Sequence, residues 1–302
     1  MCSKTESNET ENFIYSKDST YLTDEQRRFY EENGYVIIKK LVDDELLEEC
    51  KDRFLKLCND RKSDVKVMLV MKDPYLKANN EKGEYVVNKV HDFVHDEIFF
   101  KYASYEPIVN IVESIIGPNI TVFHSMLINK PPNSKQELSK LPLHQDLHYF
   151  PFRPVDLMVS VWTAMEPVTK ENGCLVGVPG SHKGQHYEHD YISDLSVKAY
   201  QGAVGLGNLD LATFVMDKGD TIFFHPLLLH GSGPNTTKGF RKSISCCYRD
   251  SLLKTIPLKG TIQEKIEKEI LEIGENMGLG KTTIENFFKV KSVVLKGEPG
   301  NL

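Results

Sequence analysis

The sequence has no CxxC pair among its six cysteines, no apolar run near the roughly 20 residues a membrane-crossing helix needs, and no surplus of basic charge. Each absence removes a class of protein. Cys2, Cys50, Cys58, Cys174, Cys246 and Cys247 are scattered, which argues against a disulfide framework and reads as reduced intracellular thiols. A net charge of −6 offers no basic face for nucleic acid. Residues 1–20 are polar and lack an apolar h-region. They are expected to form a loose tail, not a signal sequence, ahead of one domain over 21–302. No internal repeat and no Pro/Gly/Ser-rich linker divides that domain. With 40% hydrophobic and 26% charged residues in 302, the composition is that of a soluble globular protein.

What is present begins with helices. Thr23-Asp24-Glu25-Gln26 fits a capping box and Asn33-Gly34 a stop, predicting a helix over about 24–32 and a strand from Tyr35 to Ile38. Asp43 or Asp44 can cap a second helix whose Leu46, Leu47, Cys50, Phe54 and Leu57 share one side. Residues 59–85 resist assignment apart from the apolar run Val67 to Met71. A third helix is expected near 106–116, ended by Gly117-Pro118. The pattern then turns β-like: Ile120 to Ile128, Leu157 to Thr163, Cys174 to Val178, Thr221 to Phe224 and Arg241 to Tyr248, separated by turn signals. Thr261-x-x-Glu264 looks like another capping box, followed by Ile262, Ile266, Ile270 and Ile273, and Ser292 to Leu295 by a closing strand. A mainly β fold with flanking helices, built on a jelly-roll (double-stranded β-helix, cupin-like) core, accommodates this order best.

The chemistry concentrates in His144-Gln145-Asp146, His230 and Arg241. Two imidazoles and one carboxylate on one face of a divalent ion leave the other face open, the pattern of non-haem Fe(II) oxygenases. Strand alternation would point His144 and Asp146 to one side. His230 follows Leu227-Leu228-Leu229 and precedes a small-residue turn, with Ser232 close behind. Arg241 would return beside the metal to clamp a carboxylate in bidentate fashion. Alone, a His-x-Asp pair has roughly one chance in ten of binding metal, a prior for short motif matches. His148 shares the strand parity of His144 and Asp146, so a local zinc site that could serve a hydrolase competes. His225, ahead of Pro226, reads as structural, and His182 as a loop residue.

The segments MLINKPPNS (126–134), HQDLHYFPFRP (144–154), WTAMEPV (162–168), NGCLVGVPGSHKG (172–184) and GDTIFFHPLLLHGSGPNTTKGFRKSISC (219–246) resemble the phytanoyl-CoA dioxygenase family, from about residue 20 to the C-terminal Gly-Asn-Leu. The resemblance implies an Fe(II)- and 2-oxoglutarate-dependent enzyme that uses O2, with ascorbate as reductant, to hydroxylate carbon 2 of a 3-methyl-branched acyl-CoA in fatty-acid α-oxidation. It implies His144, Asp146 and His230 as iron ligands, Arg241 and Ser232 as holders of the distal carboxylate of 2-oxoglutarate, and Lys89, Met126 and Trp162 as further co-substrate contacts. On residue type alone, Lys89 is equally an exposed strand charge, and Trp162 and Met126 are core. The carboxylate of Asp146 favours hydroxylation over halogenation, because related halogenases carry a small residue there. Lys130, Lys135, Lys140, Lys238 and Lys242 are candidate loop cations for the CoA phosphates, with ordinary solvated lysines equally expected. The resemblance also implies a peroxisomal location, although residues 1–34 and the Gly300-Asn301-Leu302 end carry no recognisable import signal; a cytoplasmic location is the alternative. A non-catalytic acyl-CoA-binding relative and a hydroxylase of another small lipid are rival functions. No nucleic-acid partner and no membrane span are expected, and no protein partner is identified.

Overall fold

Thr23 and Gln26 form the reciprocal cap that the sequence suggests: the Thr23 hydroxyl accepts from the Gln26 amide (3.2 Å), and the Gln26 side chain accepts from the Thr23 amide (2.9 Å). They start helix α1 (Asp24–Asn33), which Gly34 ends in the left-handed region at φ 78°. The computed structural model describes residues 13–17, 20–59, 65, 67–72, 81–132, 140–191 and 201–300. Most of the tail expected over 1–20 lies outside them, but residues 14–16 are docked: Ile14 and Tyr15 amides and the Ser16 hydroxyl donate to the Glu31 carboxylate.

Five more helices follow among the described residues: α2 (Asp44–Asn59), α3 (Glu97–Ala103), α4 (Glu106–Ile116) and, late in the chain, α5 (Glu264–Asn276) and α6 (Ile284–Val290). Helix α3 has no counterpart among the sequence expectations; the Asp96 carboxylate caps it by accepting from Ile98 and Phe99 amides. Thr261 does not cap α5. Its hydroxyl accepts from the Gln263 amide and Glu264 accepts from the Gly260 amide, and the helix begins two residues later than a box at Thr261 requires.

The strands are β1 (Tyr35–Ile38), β2 (Leu69–Lys72), β3 (Val87–His91), β4 (Ile120–Lys130), β5 (Leu141–His144), β6 (Phe152–Arg153), β7 (Met158–Ala164), β8 (Leu175–Gly177), β9 (His189–Tyr191), β10 (Gln201–Ala203), β11 (Ala212–Phe214), β12 (Thr221–Phe224), β13 (His230–Ser232), β14 (Arg241–Asp250), β15 (Lys254–Thr255) and β16 (Val293–Lys296). The larger sheet runs β1-β12-β7-β14-β4-β3-β2, with β16 also on β4; the smaller runs β11-β8-β13-β5. Every pairing in both is antiparallel.

Alternation sorts the larger sheet's side chains. One face carries Val90, Val159, Val161, Phe223, Ile244 and Cys246, which pack with Leu47, Phe54, Phe99 and Ile115 of α2–α4. The opposite face carries Tyr35, Trp162, Ile222 and Phe224, which pack with Leu175 and Phe214 of the smaller sheet. Adjacent Cys246 and Cys247 accordingly enter different clusters. A third cluster, Phe123, Phe150, Phe152, Phe287 and Phe288 with Ile266 and Ile270, lets α5 and α6 close one end. This is the double-sheet jelly roll anticipated from the strand pattern.

Two features of the smaller sheet bear directly on function. His144 at the end of β5 and His230 at the start of β13 are register partners. Gly231 makes their approach possible: a Cβ there would lie 2.7 Å from the Leu141 carbonyl oxygen. Gly231→Ala is expected to push β13 off β5 and cost about 1–3 kcal/mol by overpacking. Urea unfolding measures it, and an unchanged midpoint would contradict the close approach.

Candidate metal centre and anion pocket

His144, Asp146 and His230 bring one ligand atom each to within 4.8 Å of one another. Nε2 of His144 lies 3.4 Å, and Nε2 of His230 3.7 Å, from the same oxygen of Asp146. Both rings are oriented in the same way. Nδ1 of His144 meets the Pro142 carbonyl and Nδ1 of His230 the Leu228 carbonyl, each at 3.0 Å and each two residues back. Since a carbonyl can only accept, both Nδ1 atoms carry a proton and both Nε2 atoms face Asp146. The second Asp146 oxygen accepts from the Ser160 hydroxyl at 2.6 Å, across on β7. Burial would raise the Asp146 carboxyl, but His230, His144 and Ser160 together hold it well below the usual carboxylate range. Burial, with His144 beside it, pushes His230 down to about 4. The result is two imidazole Nε2 atoms and an ionised carboxylate on one side of a common point, the donor set that a divalent transition metal takes.

The route to this geometry differs from the strand-parity expectation. Asp146 is not on a strand; β5 ends at His144, and Asp146–Tyr149 is a 3-10 turn. Two glutamines invisible to motif reading hold that turn. Gln145, fully buried, donates from its side chain to the Gln185 and Leu227 carbonyls and accepts from the Tyr187 amide. Gln263 donates to the Leu147, His148 and Phe150 carbonyls at 2.7, 3.1 and 3.1 Å. The turn also settles His148. Its Nε2 meets Gln201 and its ring stacks on His189 at 4.3 Å, so it does not join His144 and Asp146. His225 is structural as expected, bonded to Asp156 and the Leu227 amide; His182 is buried against the Glu31 carbonyl, not a free loop residue.

The strand register lays out the rest of the pocket. Across the larger sheet, Ser160 and Cys247 are partners; one row along come Trp162, Ser245, Met126 and His91; then Ser243, Ile128 and Lys89; then Arg241 and Lys130. All the co-substrate positions named by resemblance on this sheet therefore share its inner face. Arg241 is buried, donates to the Ser243 hydroxyl and the Gly173 carbonyl, and lies 5.6 Å from the Trp162 ring. Its Nε and the Trp162 indole N–H are buried without a hydrogen-bond acceptor among the described residues. Burial pushes its guanidinium down to about 10. Two orphaned donors, one cationic, are a built demand for an anionic acceptor.

Lys130 corrects a sequence expectation. It is no loop cation but is buried at the end of β4, reaching across to the smaller sheet, where it donates to the Ser232 hydroxyl at 2.8 Å and to the Gly233 carbonyl. Burial and the charges of Arg241 and Lys89 hold its ammonium well below the ordinary value. Lys242 is likewise buried, paired with Glu84 and Glu166, and unavailable to a CoA phosphate. Of the other lysines, Lys140 and Lys238 are exposed and Lys135 lies outside the described residues.

A jelly roll with a two-histidine, one-carboxylate centre and a basic pocket beside it defines the class of mononuclear metal-dependent oxygenases. The comparisons narrow it. The chain belongs to the phytanoyl-CoA dioxygenase (PhyH) family, whose model matches residues 30–243. It is 46% identical to the peroxisomal phytanoyl-CoA dioxygenase of Rattus norvegicus over 97% of this chain and 88% of that protein. It is 43% identical to that of Homo sapiens over 96% and 87%, and 40% identical to a probable phytanoyl-CoA dioxygenase of Caenorhabditis elegans over 95% and 97%. Among solved structures it shares the fold of EctD from S. alaskensis with bound Fe, at a TM-score of 0.60 and 15% identity, over 82% of this chain and 88% of that one. It also shares the fold of the epimerase SnoN in complex with Fe3+, alpha ketoglutarate and nogalamycin RO, at 0.59 and 19%, over 78% and 86%.

Ser160→Ala removes the bond that fixes the free oxygen of Asp146. Affinity for Fe(II) or Co(II) is expected to fall about 10- to 100-fold, with far-UV circular dichroism unchanged. A metal titration checks this, and wild-type affinity would contradict it.

Proposed function

We propose that this chain is an Fe(II)- and 2-oxoglutarate-dependent dioxygenase that hydroxylates carbon 2 of a 3-methyl-branched fatty acyl-CoA such as phytanoyl-CoA, in fatty-acid α-oxidation. One observation carries the co-substrate: the unsatisfied donors of Arg241 and Trp162, beside Lys130 and on the same inner face as Ser160. A dicarboxylate that reaches from the metal to this end would satisfy both. The acyl-CoA substrate rests on the names of the rat and human relatives and on the extent of the match to them. So does the peroxisomal location.

His144, Asp146 and His230 would hold the iron, leaving one side open to co-substrate and O2. When bound, the iron with 2-oxoglutarate and O2 supplies the oxidising chemistry that inserts one oxygen atom into the C2–H bond while the co-substrate loses CO2 and becomes succinate. Ascorbate would serve to keep the metal ferrous. The chain's own part is placement. Arg241 would anchor the distal carboxylate in bidentate fashion. Lys130, by donating to Ser232, leaves the Ser232 hydroxyl hydrogen free to donate to that same carboxylate. Trp162, Met126 and Lys89 would wall the channel. The Pro142 and Leu228 carbonyls hold the imidazole tautomers through turnover.

The test is 2-oxoglutarate decarboxylation with and without phytanoyl-CoA, with 2-hydroxyphytanoyl-CoA identified by mass spectrometry. Wild type should give succinate and hydroxylated product in equal amounts, and His230→Ala should give neither. Lys130→Met should raise the KM for 2-oxoglutarate about tenfold while leaving that for acyl-CoA near wild type, the loss of one charge-assisted contact. Tight acyl-CoA binding without turnover would favour a non-catalytic relative. A chlorinated product in chloride buffer would contradict the role of Asp146.

A further inference from the structure

A second group of imidazoles lies close to the first but takes no part in it. His148, His186 and His189 bring one ring nitrogen each to within 4.8 Å of one another. His148 stacks on His189, and His186 approaches both, at ring-centre distances of 6.4 and 5.9 Å.

Hydrogen bonding identifies which nitrogens are available. The side-chain amide of Gln201 donates to both oxygens of Glu269 at 3.0 Å, so its carbonyl oxygen must be the atom facing His148 Nε2. Nε2 therefore carries the proton and Nδ1 the lone pair, and that Nδ1 is buried without a partner among the described residues. Nε2 of His186 is buried and unpartnered as well. Two neighbouring buried imidazole nitrogens without partners are an unusual omission, because such groups are otherwise satisfied. His189 is different. Its Nδ1 donates to the Tyr187 carbonyl and its Nε2 accepts from the Gln145 backbone amide, both at 2.9 Å. Burial pushes His186 down to about 4, so that ring is neutral at physiological pH.

We propose that His148, His186 and His189 form a second divalent-metal site, separate from the His144–Asp146–His230 centre. Nδ1 of His148 and Nε2 of His186 are the primary donors. His189 completes the set by exchanging its bond to the Gln145 amide for the metal. An all-imidazole set suits Zn2+, Co2+, Ni2+ or Cu2+ and disfavours Mg2+ and Ca2+. Glu269 and Gln201 behind His148 form the relay that fixes a ligating imidazole's tautomer. Occupancy by three ligands would loosen the Gln145 amide, which sits between His144 and Asp146, and so links the second ion to the first centre.

Co2+ is the probe, added anaerobically to metal-free protein and followed by its visible bands and by equilibrium dialysis. Wild type should bind two equivalents, and His144→Ala/His230→Ala should still bind one. His186→Leu, at a half-buried position, should reduce wild type from two to one and the double variant from one to none. Absence of Co2+ uptake by the folded double variant, or uptake that His186→Leu leaves unchanged, overturns the proposal. Loss of the other equivalent on replacing His144 and His230 reports on the first centre alone, so the two assignments fail separately.

Discussion

The pairing of β5 with β13 is the constraint from which the rest of the site follows. It places His144 opposite His230, and the missing side chain at Gly231 lets the two backbones approach. Each imidazole then spends its Nδ1 proton on a carbonyl two residues back, a bond that the extended backbone provides locally. Asp146 cannot reach the pair from a strand. It reaches them from a 3-10 turn, and that turn stands only because Gln145 and Gln263 satisfy the carbonyls and amides around it. The Ser160 hydroxyl ties the carboxylate to the larger sheet, so the metal centre is also the place where the two sheets are joined.

The second joint is Lys130, which crosses from β4 to Ser232. Burial lowers the basicity of both groups, and the charge of Arg241 lowers that of Lys130 further. An anion bound between them would offset that repulsion and favour the charged form of Lys130. The same logic separates the two imidazole groups. The first has a carboxylate and open lone pairs; the second has lone pairs but no acid.

Much of this was legible in the residues. The Thr23–Gln26 cap, the α4 segment before Gly117, and β4, β7, β12 and β14 all follow from local pattern, because each buries a face with one period. The grouping of His144, Asp146 and His230, which the fold brings together, was legible from chemistry and spacing. Parity misled at Asp146, since a chain that leaves its strand after one residue no longer alternates. Burial of Lys130 and Lys242 was not legible because lysine is ordinarily a surface residue, and what buries these two is a bond partner 102 residues away for one and the acids Glu84 and Glu166 for the other. Gln263 and Gln201 act through contacts that only the tertiary fold creates. Thr261 shows the limit of motif reading: the box residues are present, but the turn around Leu258 uses them before the helix begins.

Anaerobic absorption spectroscopy tests the central claim most directly. Fe(II) and 2-oxoglutarate added to the wild-type protein should produce the visible charge-transfer band of a chelated 2-oxo acid, and Asp146→Ala should weaken or abolish it. A wild-type protein that stays colourless under saturating Fe(II) and 2-oxoglutarate would contradict the assignment of His144, Asp146 and His230 as an iron centre facing a dicarboxylate pocket.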